Sequence, residues 1–263
     1  MQQIHRATRR KGAAAVAAQQ AAYARLCQVA RQVARQADRV AQALAVIAAG
    51  GERPPVAVAH ELARVLPLVR RVIAQTERRV LHGEAVPAES KVVSLVEPHT
   101  AIIPRHKAGR PVAFGRKLWL AEAEGGIVTE ARLLEGAPPD APEVLPSVRR
   151  HLRQFGRVPD SLTGERGCST APVRRELAAL GGRRVALPHT GRATAASRAQ
   201  ERERGFQRGY RWRAGIEGRI GVLQRSFGLA RCPDHGEGGI ARWVGWGVLT
   251  ANLVTLARAP AVR

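Results

Sequence analysis

One long periodic segment, residues 12–49, limits the folds that are open to this chain. Small and apolar residues recur in it at alternating steps of three and four, a spacing typical of a coiled-coil-like helical seam. A structural arm is the simpler interpretation, and a dimerisation seam that makes a homodimer is the sharper alternative. The residues of the seam are Tyr23, Leu26, Ala30, Val33, Ala37, Val40, Leu44 and Ile47.

A turn and a change of period divide the chain into two domains. Paired glycines and prolines in residues 50–55 stop the first helix, and a second helical pattern follows over residues 62–80. Together they predict a long antiparallel helical hairpin as a first domain, residues 1–86. Strand-like and helix-like patterns then mix over residues 87–263, which predicts an α+β or mixed α/β second domain with helices flanking a mixed sheet.

The second domain can be divided further by its local patterns. Alternating apolar residues indicate strands, helical spacing indicates helices, and Gly-rich or Pro-rich stretches indicate loops. In chain order these predict a strand over 91–96, a basic loop over 104–114, a hairpin of strands over 114–121 and 126–134, a helix over 142–155, a strand over 158–163, a helix over 170–180, a strand over 183–187, a basic segment over 188–208, and helices over 210–229 and 239–258.

Basic residues far outnumber acidic residues. Lys and Arg number 43 against 21 Asp and Glu, which gives a net charge of +22. Nearly all of this positive charge is Arg, whose guanidinium binds phosphate in a bidentate manner. The excess predicts a long-range attraction to polyanions, so nucleic acid is the favoured partner and an anionic membrane surface is the second choice.

The chain carries few signals for export or for membrane insertion. Its three cysteines are too few and too scattered for a disulfide framework or a zinc site. No apolar core of a signal peptide develops near Met1, and no run approaches the roughly 18 apolar residues of a membrane span. The closest run, Val244–Ala257, is interrupted by glycines and polar residues. These observations predict a cytoplasmic protein without a membrane partner.

Two glutamates stand where metal-dependent chemistry can be built. Glu165 follows a predicted strand within a Gly-x-x-Gly turn, and ligands bind near the carboxyl ends of strands in such sheets. Glu217 is the lone acid of an Arg-rich amphipathic helix. Each acid has a simpler interpretation, as an exposed turn residue or an ion-pair partner. Together they can share a divalent ion that activates water or a 3′-hydroxyl for attack on a phosphodiester.

The helix that carries Glu217 also has an apolar side. Four residues at helical spacing predict a face that packs on the core, while arginines surround the acid on the remaining surface. The predicted core face consists of Ile216, Ile220, Leu223 and Phe227.

Four stretches of the chain resemble passages of acid-triad (Asp-Asp-Glu) insertion-sequence transposases, and the resemblance is closest to the ISNCY type. In order and at these spacings they cover most of residues 60–258. The resemblance implies an RNase H-like mixed sheet, DNA as the partner, and DNA transposition by cleavage and strand transfer with Mg²⁺ or Mn²⁺. The stretches are residues 75–103, 156–167, 211–220 and 242–253.

The resemblance also implies roles for individual residues. Tyr210, Arg213 and Glu217 match a tyrosine–arginine–glutamate motif of related transposases, with two residues and then three between them. Glu217 is then the third catalytic acid, and Tyr210 and Arg213 contact DNA phosphate near the cut. Glu165 stands in the position of the second acid, so the two glutamates are the implied metal ligands. Arg211 and Arg219 are expected to add DNA contacts.

The chain departs from the family pattern at three points. Glu165 replaces an Asp, and the extra methylene moves the carboxylate by roughly an ångström, which can cost on the order of 100-fold in rate. A basic position of the motif is here Gln224. The first catalytic Asp, on a central strand upstream of the helical arm, has no counterpart.

We therefore expect the C-terminal part of such a transposase, truncated at its N-terminus, with cleavage impaired or lost. Its sheet would lack the middle strand unless Val92–Val96 or another chain fills the gap, because the family places the missing Asp on that strand. The alternative is a non-catalytic, basic DNA-binding remnant, which would bind DNA with a steep salt dependence and little sequence preference.

Overall fold

A computed structural model shows a mixed α+β protein that is 61% helical with small sheets, which confirms the predicted class in its coarse form. The chain divides into two compact units after Gly115, whereas the sequence places the boundary near residue 86. The segment between these positions therefore belongs with the helical arm. The structure describes residues 12–51, 55–107, 109–192 and 194–259.

The first unit contains the predicted helical hairpin. Helix α1 spans Ala13–Ala49 and helix α2 spans Val56–Thr76, with a π-helical turn over Glu77–Leu81. The two helices run antiparallel. At one end of the hairpin Gln20 of α1 donates a hydrogen bond to the Val80 carbonyl, which follows α2. Nearer the other end an ion pair joins Asp38 of α1 to Arg70 of α2.

The predicted seam of α1 does not form a single face. Its members at positions 23, 30, 37 and 44 are buried or half-buried on the side of α2. The intervening members, Leu26, Val33, Val40 and Ile47, are between 38% and 57% exposed. The heptad pattern therefore serves two sides of the helix, and only one of them is covered in the structure.

Residues 91–96, predicted as a strand, form no strand. The Gln75 side chain of α2 donates to the Val92 carbonyl at 2.8 Å and accepts from its N–H at 2.9 Å. These two bonds satisfy the backbone that a strand partner would otherwise bind. The predicted basic loop that follows is instead an antiparallel hairpin of β1 (Ala101–Lys107) and β2 (Arg110–Gly115).

The strands of the second unit form two separate pairs. Strands β3 (Lys117–Ala123) and β4 (Ile127–Leu134) are antiparallel, and strands β5 (Ser161–Thr163) and β6 (Arg184–Ala186) are parallel. No ladder joins one pair to the other among the residues that the structure describes. The continuous mixed sheet that the sequence predicts is therefore not formed. In the described residues no strand is hydrogen-bonded between the β3–β4 pair and the β5–β6 pair.

Five helices accompany these strands in the described part of the second unit. Their positions follow the prediction closely except near residue 200, where the expected basic segment is helical and the acid-bearing helix begins six residues early. The helices are α3 (Ala141–Phe155), α4 (Ala171–Ala179), α5 (Ala195–Arg202), α6 (Arg204–Ser226) and α7 (Gly236–Ala257).

Helices α3 and α4 pack on one face of the β5–β6 pair, and α6 packs on the other. Leu162 and Val185 are partners in the ladder and lie against the α3–α4 cluster. The next residue, Ala186, faces the other way, because a Cβ added at Gly209 of α6 would lie 2.8 Å from its side chain. At its other end α6 places Leu223 in a cluster with Val128 of β4 and Ala251 of α7.

Helix α7 is long and apolar enough, by length and composition alone, to cross a membrane. Its mean hydropathy is 1.2 and most of its surface is exposed. One such helix is weak evidence for a span, because core helices of other proteins pass the same test. Its Asn252 side chain bonds both the N–H and the carbonyl of Val128 at 2.9 Å, so this helix is tied to β4.

A partly buried carboxylate on β4, that of Glu130, gives the second unit a predicted pH dependence. Burial alone would raise the pKa of Glu130, but hydrogen bonds from Ser147, Arg150 and Arg132 outweigh it and hold the pKa below its usual range. A lowered pKa contributes stability above the unfolded value of about 4.3, and this contribution is lost as the pH falls through the folded value.

We expect Glu130→Gln to cost about 1–3 kcal/mol of unfolding free energy at pH 7. The gap between the variant and the parent should narrow below about pH 4, where the parent carboxylate becomes protonated. Urea unfolding followed by tryptophan fluorescence reports this unit alone, since the four tryptophans lie at positions 119, 212, 243 and 246. Glu124→Gln, in the exposed turn, is the control. A gap that widens in acid would contradict the assignment.

Candidate functional site

Glu165 lies just beyond the carboxyl end of a strand, as the sequence predicts. Strand β5 ends at Thr163, and a single turn of 3₁₀ helix, Arg166–Cys168, begins directly after the glutamate. The Glu165 side chain is 61% exposed. The short connection between β5 and the 3₁₀ turn determines the position of the Glu165 carboxylate. Because the side chain is exposed, a ligand can reach it.

The structure brings the two predicted acids together. Glu217 lies on α6, and α6 packs over the parallel pair that ends at Glu165. A single guanidinium nitrogen, Nη1 of Arg213, lies 3.7 Å from an oxygen of Glu165 and 3.8 Å from an oxygen of Glu217. Two carboxylates that are 52 residues apart in sequence therefore converge on one cation.

Arg213 is held at this point by an aromatic stack. Its guanidinium lies 5.0 Å from the ring centroid of Tyr210, one turn earlier on α6, and Tyr210 stacks in turn on Phe206. A cation over an aromatic face is attracted by the ring quadrupole. The Arg213 side chain is only 15% exposed, so the arginine faces the protein.

The contacts of Arg213 leave hydrogen-bonding capacity unused. Both carboxylate oxygens lie beyond the 2.7–3.2 Å range of an N–H···O bond, so the contacts are electrostatic. The Nε atom is buried and has no hydrogen-bond partner among the residues that the structure describes. A buried donor without an acceptor costs about 1–3 kcal/mol, which makes Nε a place where water or an anionic oxygen would be stabilised.

The acid pair matches the implied cation in chemistry but not in arrangement. Carboxylate oxygens are the ligands that Mg²⁺ and Mn²⁺ prefer. However, no group of three metal-ligating side chains occurs in the described residues. Moreover, the Arg213 guanidinium occupies the position between Glu165 and Glu217 where a divalent ion would bind. The residues as placed do not form a metal site.

Arg219 also points inward rather than outward. Its Nε lies 3.4 Å from Glu122 at the end of β3, and its side chain is 21% exposed. The guanidinium lies over the turn, where a Cβ added at Gly126 would come within 2.0 Å of it. Arg219 therefore joins α6 to the β3–β4 pair through an ion pair with Glu122.

The exposed positive charge of α6 lies on a different line of residues, of which the sequence predicted only Arg211 as a DNA contact. Arg204, Arg208 and Arg211 are exposed and are spaced four and three residues apart, so they share one face. Gly215 and Gly218 continue this line and add no side chain that would keep a ligand away. Because the basic segment was not predicted to be helical, its spacing with Arg211 was not recognised.

Cys168, three residues after Glu165, is not a nucleophile. Burial, followed by the nearby Asp140 carboxylate, raises the pKa of the Cys168 thiol to about 11. The thiolate, which is the reactive form, is therefore scarce at neutral pH. The residue packs in the α3–α4 cluster instead.

Comparison with known proteins adds no relative to this description. No family model matches the chain, and no curated protein or solved structure matches it either.

Proposed function

We propose that this chain is a DNA-binding protein derived from an acid-triad insertion-sequence transposase, in which metal-dependent cleavage and strand transfer are impaired. The convergence of Glu165 and Glu217 on Arg213 is the observation that carries the proposal. The resemblance requires these three residues to share one site, although the two acids belong to separate motifs. Nothing in composition or helical periodicity alone requires that proximity.

Helix α6 contacts both strand pairs of the second unit. Arg213 contacts Glu165 beyond the end of β5, and Arg219 contacts Glu122 near the end of β3. At its other end α6 packs Leu223 against Val128 of β4. A helix that lies against both pairs agrees with the flanking helices that the resemblance implies.

We further propose that DNA binds the outward line of α6 rather than the acid pair. A phosphate that approaches Glu165 and Glu217 meets two carboxylates and one guanidinium, a local charge that repels it. The line of Arg204, Arg208 and Arg211 on the same helix carries three exposed positive charges. Each phosphate contact releases a condensed counterion and strengthens binding at low salt.

Glu165 and Glu217 as placed do not fit the Mg²⁺ or Mn²⁺ that the resemblance implies, because the Arg213 guanidinium lies between them. The non-catalytic remnant is the closely related alternative, and the arginine between the acids favours it.

The experiment is a cleavage assay on supercoiled plasmid and linear duplexes with Mg²⁺ or Mn²⁺, run beside Glu217→Gln. We expect both proteins to bind DNA, and we expect the parent protein to cut no more DNA than the variant does. We also expect Glu217→Gln to bind DNA about 3-fold more tightly, because exposed charges contribute 0.2–1 kcal/mol. Robust cutting that the substitution abolishes would contradict impairment. Failure to bind duplex DNA at low salt would contradict the proposed function as a whole.

A further inference from the structure

An open cleft of about 240 Å³ lies between the end of α6 and the middle of α7. Its residues on α7 are spaced three, four and seven apart, so they share one face of that helix. The opposite side is formed by the last residue of α6 and the residue after it. The cleft is lined by Ser226, Phe227, Trp243, Trp246, Gly247 and Thr250.

Two glycines allow the chain that follows α6 to pack directly on α7. A Cβ added at Gly228 would lie 2.8 Å from the Trp243 ring, and one added at Gly247 would lie 3.0 Å from the Phe227 carbonyl oxygen. The Trp243 indole also donates a hydrogen bond to the Gly228 carbonyl at 3.1 Å. The Trp243 wall of the cleft is therefore held in place before any ligand binds.

The remaining polar and aromatic groups of the cleft are available to a ligand. Trp246 is 64% exposed and makes neither a ring contact nor a hydrogen bond with the described residues. Within the same residues the hydroxyls of Ser226 and Thr250 make no hydrogen bond. A hydroxyl can donate or accept a hydrogen bond. An exposed indole beside two such hydroxyls suits a planar ligand that has an apolar face and polar edges.

The sequence around the cleft is basic. Residues 218–233 contain three arginines and no acid, and no acid follows Glu237. Arg225 is exposed and directly precedes Ser226. It lies fourteen residues after Arg211, nearly four full turns, so both project from the same side of α6 about 21 Å apart. A polyanion that lies along this side of α6 therefore extends to the end of the helix where the cleft opens.

We propose that the cleft binds an unpaired base of a DNA strand whose phosphates lie along the arginines of α6. The inference rests on the proposed function, since it takes DNA to be the partner. Every base has a π-face that can stack on an aromatic side chain, so such stacking tolerates any sequence. A base inside a duplex already stacks on its neighbours. The ligand is therefore a single strand or an unpaired end, and its phosphates complement the local positive charge.

Fluorescence anisotropy with three labelled DNAs tests the proposal. They are a blunt duplex, the same duplex with a short thymine overhang, and the same duplex with an abasic overhang of equal length. The two overhangs carry the same phosphates, so the difference between their affinities reports the bases alone. We expect the thymine overhang to bind about tenfold more tightly than the abasic overhang, the scale of one base stacked on an aromatic ring.

Substitutions on α7 assign this preference to the cleft. Trp246→Ala should bring the ratio of the two affinities close to one and leave the affinity for the blunt duplex unchanged. Trp246→Phe keeps a ring and should retain most of the preference. Leu253→Ala is the matched control, because Leu253 is 57% exposed on the same helix but lies outside the cleft. It should retain the full preference. Circular dichroism checks that each variant is folded.

The outcomes separate this proposal from the proposed function. Equal affinities of the parent for the two overhangs, or a preference that Trp246→Ala leaves intact, would overturn the cleft assignment while duplex binding still stands. Loss that is equal in Leu253→Ala would overturn it as well, and so would Trp246-dependent binding to phosphatidylserine vesicles without a thymine preference. If the blunt duplex does not bind, the proposed function fails, and the ratio measured on thymine and abasic single strands decides the cleft assignment.

Discussion

Replacing Arg204, Arg208 and Arg211 together with Gln is expected to weaken duplex DNA binding by several hundred-fold at 0.1 M salt. Each phosphate contact contributes about 0.9 to the slope of log affinity against log salt, and so about 0.9 decade of affinity between 1 M and 0.1 M salt. The slope for the triple variant should therefore be shallower by about 3. Fluorescence anisotropy of a labelled duplex, titrated at several salt concentrations, measures both quantities.

A matched control separates the surface of α6 from total charge. Arg153, Arg175 and Arg183 are exposed in the same unit, near or on α3 and α4, across the β5–β6 pair from α6. Their replacement with Gln removes the same three charges. We expect a loss of less than tenfold and a nearly unchanged slope. Equal losses for the two triple variants would mean that DNA is attracted by overall charge and that α6 is not the binding face.

Leu223→Ala is expected to destabilise the second unit by about 2–5 kcal/mol, the range for truncating a buried leucine. Leu223 is only 1% exposed and packs with Val128 and Ala251 at the point where α6, β4 and α7 meet. Removing its side chain leaves a cavity in a small cluster that has few other buried residues. Urea unfolding followed by tryptophan fluorescence measures the change.

The control for this substitution is the neighbouring residue on the same helix. Val222 is 36% exposed, so Val222→Ala removes a similar aliphatic group that is still in contact with water. We expect it to cost well under 1 kcal/mol, since surface substitutions usually lie within 0.5 kcal/mol. Similar losses for Leu223→Ala and Val222→Ala would show that α6 is not anchored through the predicted cluster.

The acid pair is the part of the site that sequence reasoning located best. A strand end followed by Gly-x-x-Gly fixed the place of Glu165, and helical spacing fixed Glu217 relative to Arg213. Both depend on local structure, which short-range patterns describe well. The orientation of Arg213 and Arg219 was not predicted, because it depends on Phe206 and Leu223 as the buried ends of α6. Phe206 lay outside the helix as it was predicted, and Ile220, expected in the core face, is 37% exposed.

The strands that sequence reasoning misplaced were decided by distant contacts. Val92 and its neighbours have high strand propensity, but the Gln75 side chain takes up the backbone groups of Val92. Strands β1 and β2 contain Pro104 and Pro111, which indicated a loop. A two-stranded hairpin tolerates proline because each strand has an edge that needs no ladder bond. Neither outcome follows from local propensity alone.

Site-specific photo-crosslinking tests most directly whether α6 is the DNA-facing surface. A benzophenone amino acid replaces Ala214, exposed next to the line of Arg211, or Ala178, exposed on α4 across the β5–β6 pair. With both proteins bound to the same labelled duplex at low salt, we predict DNA adducts from position 214 and few from position 178. Equal yields, or adducts mainly from position 178, would contradict the account.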